Sequence, residues 1–357
     1  MSPLSISKTK SFKNKPSARD LGFGKYFSDH MFQVNYSEGR SWHSPRITPY
    51  EPLLIEPGAS VLHYGQALFE GMKSFRQTDG TTILFRPEFN AKRLQSGAER
   101  LCMQVPPTEL MLEGIRTLVK TDQDWIPREK GTSLYIRPTL IGTESFLGVR
   151  PSKEYLFYVI CCPVGSYYAT GADPIKIWVE DKYVRASLGG LGATKAGANY
   201  AASLKAALEA KKRGYAQVLW LDVTHQYIEE VGTMNVFFVF ENEIVTPALN
   251  GSILSGGVRD CVITLLKHYG LKITERELSM QEVIETHAGG KLKEIFGTGT
   301  AAVISPVGEL ASEKFDLKIN SGVRGPIAAR LYQDISDIQY GDKPDLFKWT
   351  EKIFRAT

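Results

Sequence analysis

The chain has 357 residues, 43% hydrophobic and 23% charged; this is ordinary globular usage, which excludes disorder, collagen-like repeats and low complexity for the chain as a whole. At roughly 150 residues per domain the length suggests about two domains. The formal net charge of +4 is spread along the chain and is too weak to argue for nucleic acid. No apolar run approaches the roughly 18–20 residues of a membrane helix.

Residues 1–19 carry Lys8, Lys10, Lys13, Lys15 and Arg19 and no acid. That is the composition of a frayed basic terminus and also of an organelle transit peptide; we read residues 1–20 as a flexible tail. Strand-like segments follow at Thr82–Phe85, Leu134–Leu140 and Tyr155–Cys161. Asn90 suits the N-cap of a helix running to Met103, and Thr108–Lys120 has apolar residues at helical spacing. The Gly/Pro/Tyr stretch Pro163–Pro174 is the linker candidate. It divides the chain into an N-terminal domain, 1–164, a linker, 165–175, and a C-terminal domain, 176–357.

Beyond the linker, Ile175–Glu180, Gln217–Leu221 and Asn235–Phe240 read as strands. Asn199–Arg213 and Arg259–Tyr269 read as helices, and Ser279-Met-Gln-Glu282 is a capping box opening another. Strands and helices alternate without a regular βαβ rhythm, which predicts two α/β domains of the α+β type rather than a barrel or a Rossmann sheet. Cys102, Cys161, Cys162 and Cys261 form no C-x-x-C, and no Cys/His spacing suits a metal. We expect no metal and a reducing, cytoplasmic compartment.

Five segments carry candidate chemistry. Gly189-Gly-Leu-Gly-Ala-Thr-Lys195-Ala-Gly-Ala-Asn-Tyr200 is a run of small residues with one lysine ahead of a helix. A lysine in a dry site loses its proton readily, as Schiff-base chemistry requires, but a flexible loop with a solvated lysine reads the same way. Glu229 and Glu230 adjoin a buried strand, where a cationic ring nitrogen would justify a carboxylate and a strand-end turn would equally expose it. Ser255–Arg259 before a helix and Phe296-Gly-Thr-Gly-Thr300-Ala-Ala are anion-binding turns or plain turns. Tyr135 and Arg137 share one face of a strand and would suit a carboxylate, or simply face solvent.

Together with several longer words, these segments make the sequence resemble the branched-chain amino-acid aminotransferases of the fold-type IV pyridoxal-phosphate family. The words are Asp29-His-Met31, His63-Tyr-Gly-Gln-Ala-Leu-Phe-Glu-Gly71, Leu84-Phe-Arg-Pro87, Tyr135-Ile-Arg-Pro138, Lys195-Ala-Gly-Ala-Asn-Tyr200, Gln217-Val-Leu-Trp-Leu221, Glu229-Glu-Val-Gly-Thr-Met-Asn235 and Gly297-Thr-Gly-Thr-Ala-Ala302. They run in family order from about Phe23 to Gly341. The resemblance implies a smaller N-terminal α/β domain, a larger C-terminal pseudo-barrel domain and pyridoxal 5′-phosphate as cofactor. It also implies reversible, ping-pong amino transfer from L-leucine, L-isoleucine or L-valine to 2-oxoglutarate.

By that resemblance Lys195 is the Schiff-base lysine and the proton-transfer base. Glu230 meets the pyridine nitrogen and Tyr200 the ring oxygen. Arg93, Gly257, Val258 and Thr300 hold the phosphate. Ser255-Gly-Gly-Val-Arg259 stands where many relatives have Pro-Gly-Ile-Thr-Arg, so one hydroxyl contact is lost. Tyr135, Thr300 and Ala301 would take the α-carboxylate and Arg137 the distal carboxylate of glutamate. Phe23, Phe69, Tyr167 and Thr233 would line the side-chain pocket, with Tyr64 and Leu147 arriving from the second subunit of a homodimer. Ala302 and Ser305 occupy the positions of a redox C-x-x-C in mammalian relatives, so no thiol switch is expected. The rivals are a D-amino-acid aminotransferase, an aminodeoxychorismate lyase or a non-catalytic cofactor-binding protein; His63–Gly71 and Glu229–Asn235 favour the branched-chain group.

Overall fold

The computed structural model describes residues 3–165 and 173–355. They form two compact units, one from the described part of Met1–Ala169 with Thr194–Gly197 and Asp337–Thr357, the other from Thr170–Ala193 and Ala198–Ser336. The architecture is mixed α/β with two curled half-barrel sheets. The sequential division expected above is interrupted twice, for physical reasons. Strand Thr350–Arg355 returns to pair antiparallel with Thr81–Phe85, and Ala196 bridges to Leu68. With these additions the first unit is the larger rather than the smaller.

At the centre of the first sheet lies Ser133–Gly142, a ten-residue strand flanked by Glu154–Val164 on one side and by Ala67–Phe69 and Met72–Arg76 on the other. Successive side chains alternate between the faces. One face meets the helices: Gly114 of Thr108–Thr121 sits so close to Phe32 that a Cβ there would lie 2.4 Å from the ring. This helix buries Leu110, Met111, Leu112, Ile115, Leu118 and Val119, each contributing about 1.5–3 kcal/mol. The other face carries Phe69, Tyr135, Arg137 and Cys162, and it is the face that matters for chemistry.

Two local expectations are corrected. Asn90 is not an N-cap: the helix is Pro87–Arg100, started by proline in its first turn after Arg86 in the left-handed region (φ 53°). Nor is the stretch before residue 20 a loose tail. Ser5–Ile6 pairs in parallel with Ser41–Pro49, and the Thr9 N–H donates to His30 Nε2 at 2.9 Å. The Lys13 N–H donates to Asp29, whose other oxygen accepts from Trp125 Nε1. Buried acceptors in the sheet thus recruit the backbone donors of this segment.

In the second unit Leu292–Gly299 and Val303–Ala311 pair across a short turn, and Asn235–Phe240 joins the outer side of the first. The expected helices appear as Gly197–Lys212, Gly257–His268 and Met280–Ala288. The last is capped as its sequence predicts, Ser279 Oγ accepting from the Glu282 N–H at 3.1 Å. No helix among the described residues is long and apolar enough to cross a membrane.

Candidate active site

In the first unit a short detour of the chain presents the lysine. Leu68 bridges to Ala196, and the Phe69 N–H donates to the Lys195 carbonyl at 3.2 Å. This places the Lys195 amine 4.8 Å from the centroid of the Phe69 ring, over the negative face of the aromatic quadrupole. The Arg137 guanidinium carbon lies 4.5 Å from the same centroid, and its Nη2 donates to Tyr135 Oη at 2.9 Å. Phe23 packs edge-on against Tyr135 at 4.9 Å. Lys195, Phe69, Tyr135, Arg137 and Phe23 therefore form one cluster. Gly71 makes room for it, since a Cβ there would stand 2.0 Å from Tyr135 Oη.

Arg137 Nε is buried without a hydrogen-bond partner among the described residues, an arrangement suited to receiving an anion. Burial raises the Tyr135 phenol, an effect that Arg137 partly opposes, so the hydroxyl stays protonated and able to donate. Lys73 is opposite Tyr135 in register, on the same face, and burial pushes its amine down to about 8. Arg93 is chelated by Glu70, Nε and Nη2 each donating at 2.7 Å to a different carboxylate oxygen. Asn90 Nδ2 donates to Glu70 Oε2 at 2.7 Å. Burial alone would raise Glu70, but Arg93, Lys195 and Asn90 outweigh it and hold the carboxyl below its ordinary value.

The second unit supplies a different set. Glu230, on the buried strand Ile228–Val231, is 3% exposed. Its Oε1 accepts the Leu254 N–H at 2.8 Å and lies 3.3 Å from Arg185 Nη2. Asn235 Nδ2 donates to the Leu254 carbonyl at 2.8 Å, so one loop is tied both to the carboxylate and to the start of helix Gly257–His268. A Cβ on Gly256, the residue before that helix, would lie 2.0 Å from Asn235 Oδ1. Gly257 and Val258 open the helix, where backbone N–H groups and the dipole favour an anion. Thr300 and Ala301 are half-buried in the turn between Leu292–Gly299 and Val303–Ala311, and Tyr200 is half-buried in helix Gly197–Lys212.

Residues 67–310 match the family described as "Amino-transferase class IV". The chain belongs to the class IV aminotransferases. It is 51% identical over 355 residues to "Branched-chain-amino-acid aminotransferase 2" of Bacillus subtilis, covering 99% of this chain and 98% of the relative. The Escherichia coli branched-chain amino acid aminotransferase superposes with a TM-score of 0.77 at 26% identity, over 91% of this chain and 99% of the other. The holo form of a branched-chain amino acid aminotransferase from Thermobaculum terrenum shares the fold, with a TM-score of 0.73 at 23% identity, over 91% and 98%.

Against this background the expected site residues of the class IV aminotransferase are distributed over both units. Lys195, Phe69, Tyr135, Arg137 and Phe23 meet in the first unit; Arg93 stands in the same unit on Glu70, while Tyr200, Glu230, Thr233, Gly257, Val258, Thr300 and Ala301 are in the second. Tyr64, Leu147 and Thr233 are exposed, and Tyr167 lies outside the described residues. Sequence reasoning missed Glu70, Asn90, Arg185 and Asn235 as site-building residues. Glu70 did leave a trace, an acid inside the apolar word Ala67-Leu-Phe-Glu-Gly71; Arg185 left none.

Proposed function

We propose that this class IV aminotransferase moves the amino group of L-leucine, L-isoleucine or L-valine reversibly to 2-oxoglutarate, as a cytoplasmic homodimer using pyridoxal 5′-phosphate. The observation that carries the reading is the cluster in which the Lys195 amine, the Tyr135–Arg137 pair and the Phe69 ring meet. The donor chemistry suits that cofactor. A lysine can hold its aldehyde, the buried carboxylate Glu230 can meet a protonated ring nitrogen, and the helix start at Gly257 can take a phosphate. The near full-length identity to a branched-chain aminotransferase supports the substrate class.

The bound cofactor supplies an electron sink that eases loss of the proton from the substrate Cα. Lys195 would take that proton and deliver it to the cofactor carbon on the other side of the transferred nitrogen. Glu230 would keep the ring nitrogen protonated, and Tyr200 would hydrogen-bond the ring oxygen. Arg93, Gly257, Val258 and Thr300 would hold the phosphate. The α-carboxylate would lie on Tyr135, Thr300 and Ala301. Arg137 would serve the distal carboxylate of glutamate, and its buried Nε–H favours that role. Phe23, Phe69, Tyr167 and Thr233 would enclose the branched side chain. Tyr64 and Leu147, 42% and 68% exposed, would reach the partner's site; Leu62, Phe146 and Val149, close to them in sequence, are exposed as well. Four free thiols support the cytoplasmic assignment.

The test is an absorbance spectrum of the purified protein, repeated after L-leucine and again after 2-oxoglutarate. A visible band bleached by the first and restored by the second is expected. A response to D-alanine alone, or to no amino acid, would overturn the assignment.

A further inference from the structure

Glu229 and Glu230 are adjacent, both 3% exposed, and the function proposed above uses only the second. The first belongs to a network around Ser252. Ser252 Oγ contacts Glu229 Oε1 and lies 2.7 Å from Asn250 Oδ1. Asn250 Oδ1 already accepts the Ser252 N–H at 3.0 Å, which identifies it as an acceptor oxygen. One hydroxyl hydrogen cannot be given in full to two acceptors. Ser252 Oγ–H is therefore shared between Asn250 and Glu229, and Glu229 Oε2 is buried without a hydrogen-bond partner among the described residues, a setting that solvates a charge on Glu229 poorly and favours the neutral acid.

The other side of Ser252 leads to Glu230. The Ser252 carbonyl accepts from Arg185 Nη2, which also reaches the Gly192 carbonyl at 3.4 Å. The same Nη2 lies 3.3 Å from Glu230 Oε1, with the two side chains 8% and 4% exposed. Gly192 permits the approach, since a Cβ there would sit 1.9 Å from the Ser252 carbonyl oxygen. This gives Gly192 a reason: it lets the Ser252 loop close over the guanidinium.

We propose that Arg185 is a positioning residue that keeps Glu230 ionised for the ring nitrogen, and that Glu229 serves the same end as a neutral carboxylic acid, so that one guanidinium faces one carboxylate. The inference rests on the assignment of Glu230 to the pyridine nitrogen. A buried carboxylate without a cation would take the proton itself and leave the ring neutral, a poorer electron sink. An ionised Glu229 would divide the field of Arg185 between two anions. Burial pushes Glu229 up, the Ser252 hydroxyl and Arg185 lower it, and Glu230 and Asp222 raise it further; the net upward direction agrees with the orphaned Oε2.

The test uses the holoenzyme variants Arg185→Met, Glu229→Gln and Glu230→Gln, with thermal melts to confirm folding. The readouts are the pH midpoint of the cofactor's visible band and the cofactor dissociation constant by dialysis. Losing the charge of Arg185 should move the midpoint upward by about one unit and weaken cofactor binding about tenfold. Glu229→Gln, which is neutral as the acid is and keeps an oxygen for the Ser252 hydroxyl, should leave both unchanged. If Arg185→Met does not fold, Arg185→Lys, which keeps the charge, should hold the midpoint. An unmoved midpoint in Arg185→Met, a moved one in Arg185→Lys, or one in Glu229→Gln that moves as far as expected for Arg185→Met, would overturn the inference while Glu230→Gln still shifts the band. An unmoved band in Glu230→Gln would overturn the assignment of Glu230, and this inference with it.

Discussion

Each unit buries a glutamate against an arginine, and the two pairs are built for different ends. Glu70 grips Arg93 by two bonds of 2.7 Å and is further held by Asn90 and the Gly71 N–H. Glu230 Oε1 lies 3.3 Å from Arg185 Nη2 and accepts the Leu254 N–H. A fork-on-fork pair fixes a guanidinium in space. The looser pair keeps a carboxylate charged while directing less of it to its partner. The forked pair thus fixes Arg93 in place, and the single longer contact holds Arg185 beside Glu230 without forking it.

The sharpest way to break this comparison is to remove the amine that the first unit presents. Lys195→Ala should lower the single-turnover rate with L-leucine by about three orders of magnitude or more, with folding intact. A variant that kept full turnover would end the mechanism.

Next in size is Glu70→Ala. It leaves Arg93, 11% exposed at the side chain, without its buried partner, and should cost about 3–5 kcal/mol of stability in urea unfolding. Glu230→Ala should cost distinctly less. Equal losses would erase the distinction between the forked pair and the looser one.

Lys73 tests a third kind of buried charge. Its amine falls from 10.5 to about 8 because burial disfavours the ammonium. Between these values the unfolded chain binds more protons than the folded one, so stability rises with pH across that window. Below about 8 both states are protonated and the penalty is constant. Lys73→Met should therefore be more stable than the parent at pH 7, by up to about 3 kcal/mol. Its advantage should shrink as pH climbs from about 8 toward 10.5. A pH-independent difference would mean that the lysine is compensated where it stands.

The sequence made the central strands and most helices readable because each declares itself locally: the alternation about Tyr135 and Arg137, the capping box at Ser279, the small residues around Lys195. It did not reveal what depends on distant partners. Asn90 has the chemistry of a cap, but Pro87 starts the helix first and the Asn90 amide is drawn to Glu70, 20 residues away. The basic N-terminal stretch looks loose until Asp29 and His30 are seen to accept its N–H groups. Arg185 lies outside every recognisable word, and only the fold brings it to Glu230. Cofactor-contacting residues carry their chemistry in their type; the residues that aim them carry it in their position.

The smallest expected effect concerns the thiols. Cys162 pairs across from Tyr135 and packs with it, so among the buried cysteines it is the one placed to throttle the site if oxidised. Burial raises Cys162, and Cys161 well above its ordinary value, which suppresses the thiolate that oxidants attack. Cys102 is exposed, and the turn after Gly299 offers Ala302 and Ser305 where a thiol pair would be needed. Mild oxidation followed by a thiol reductant should therefore change the initial rate by less than about twofold. A larger, reversible fall that persists in Cys102→Ser and disappears in Cys162→Ser would show that the face carrying Tyr135 opens enough to admit an oxidant.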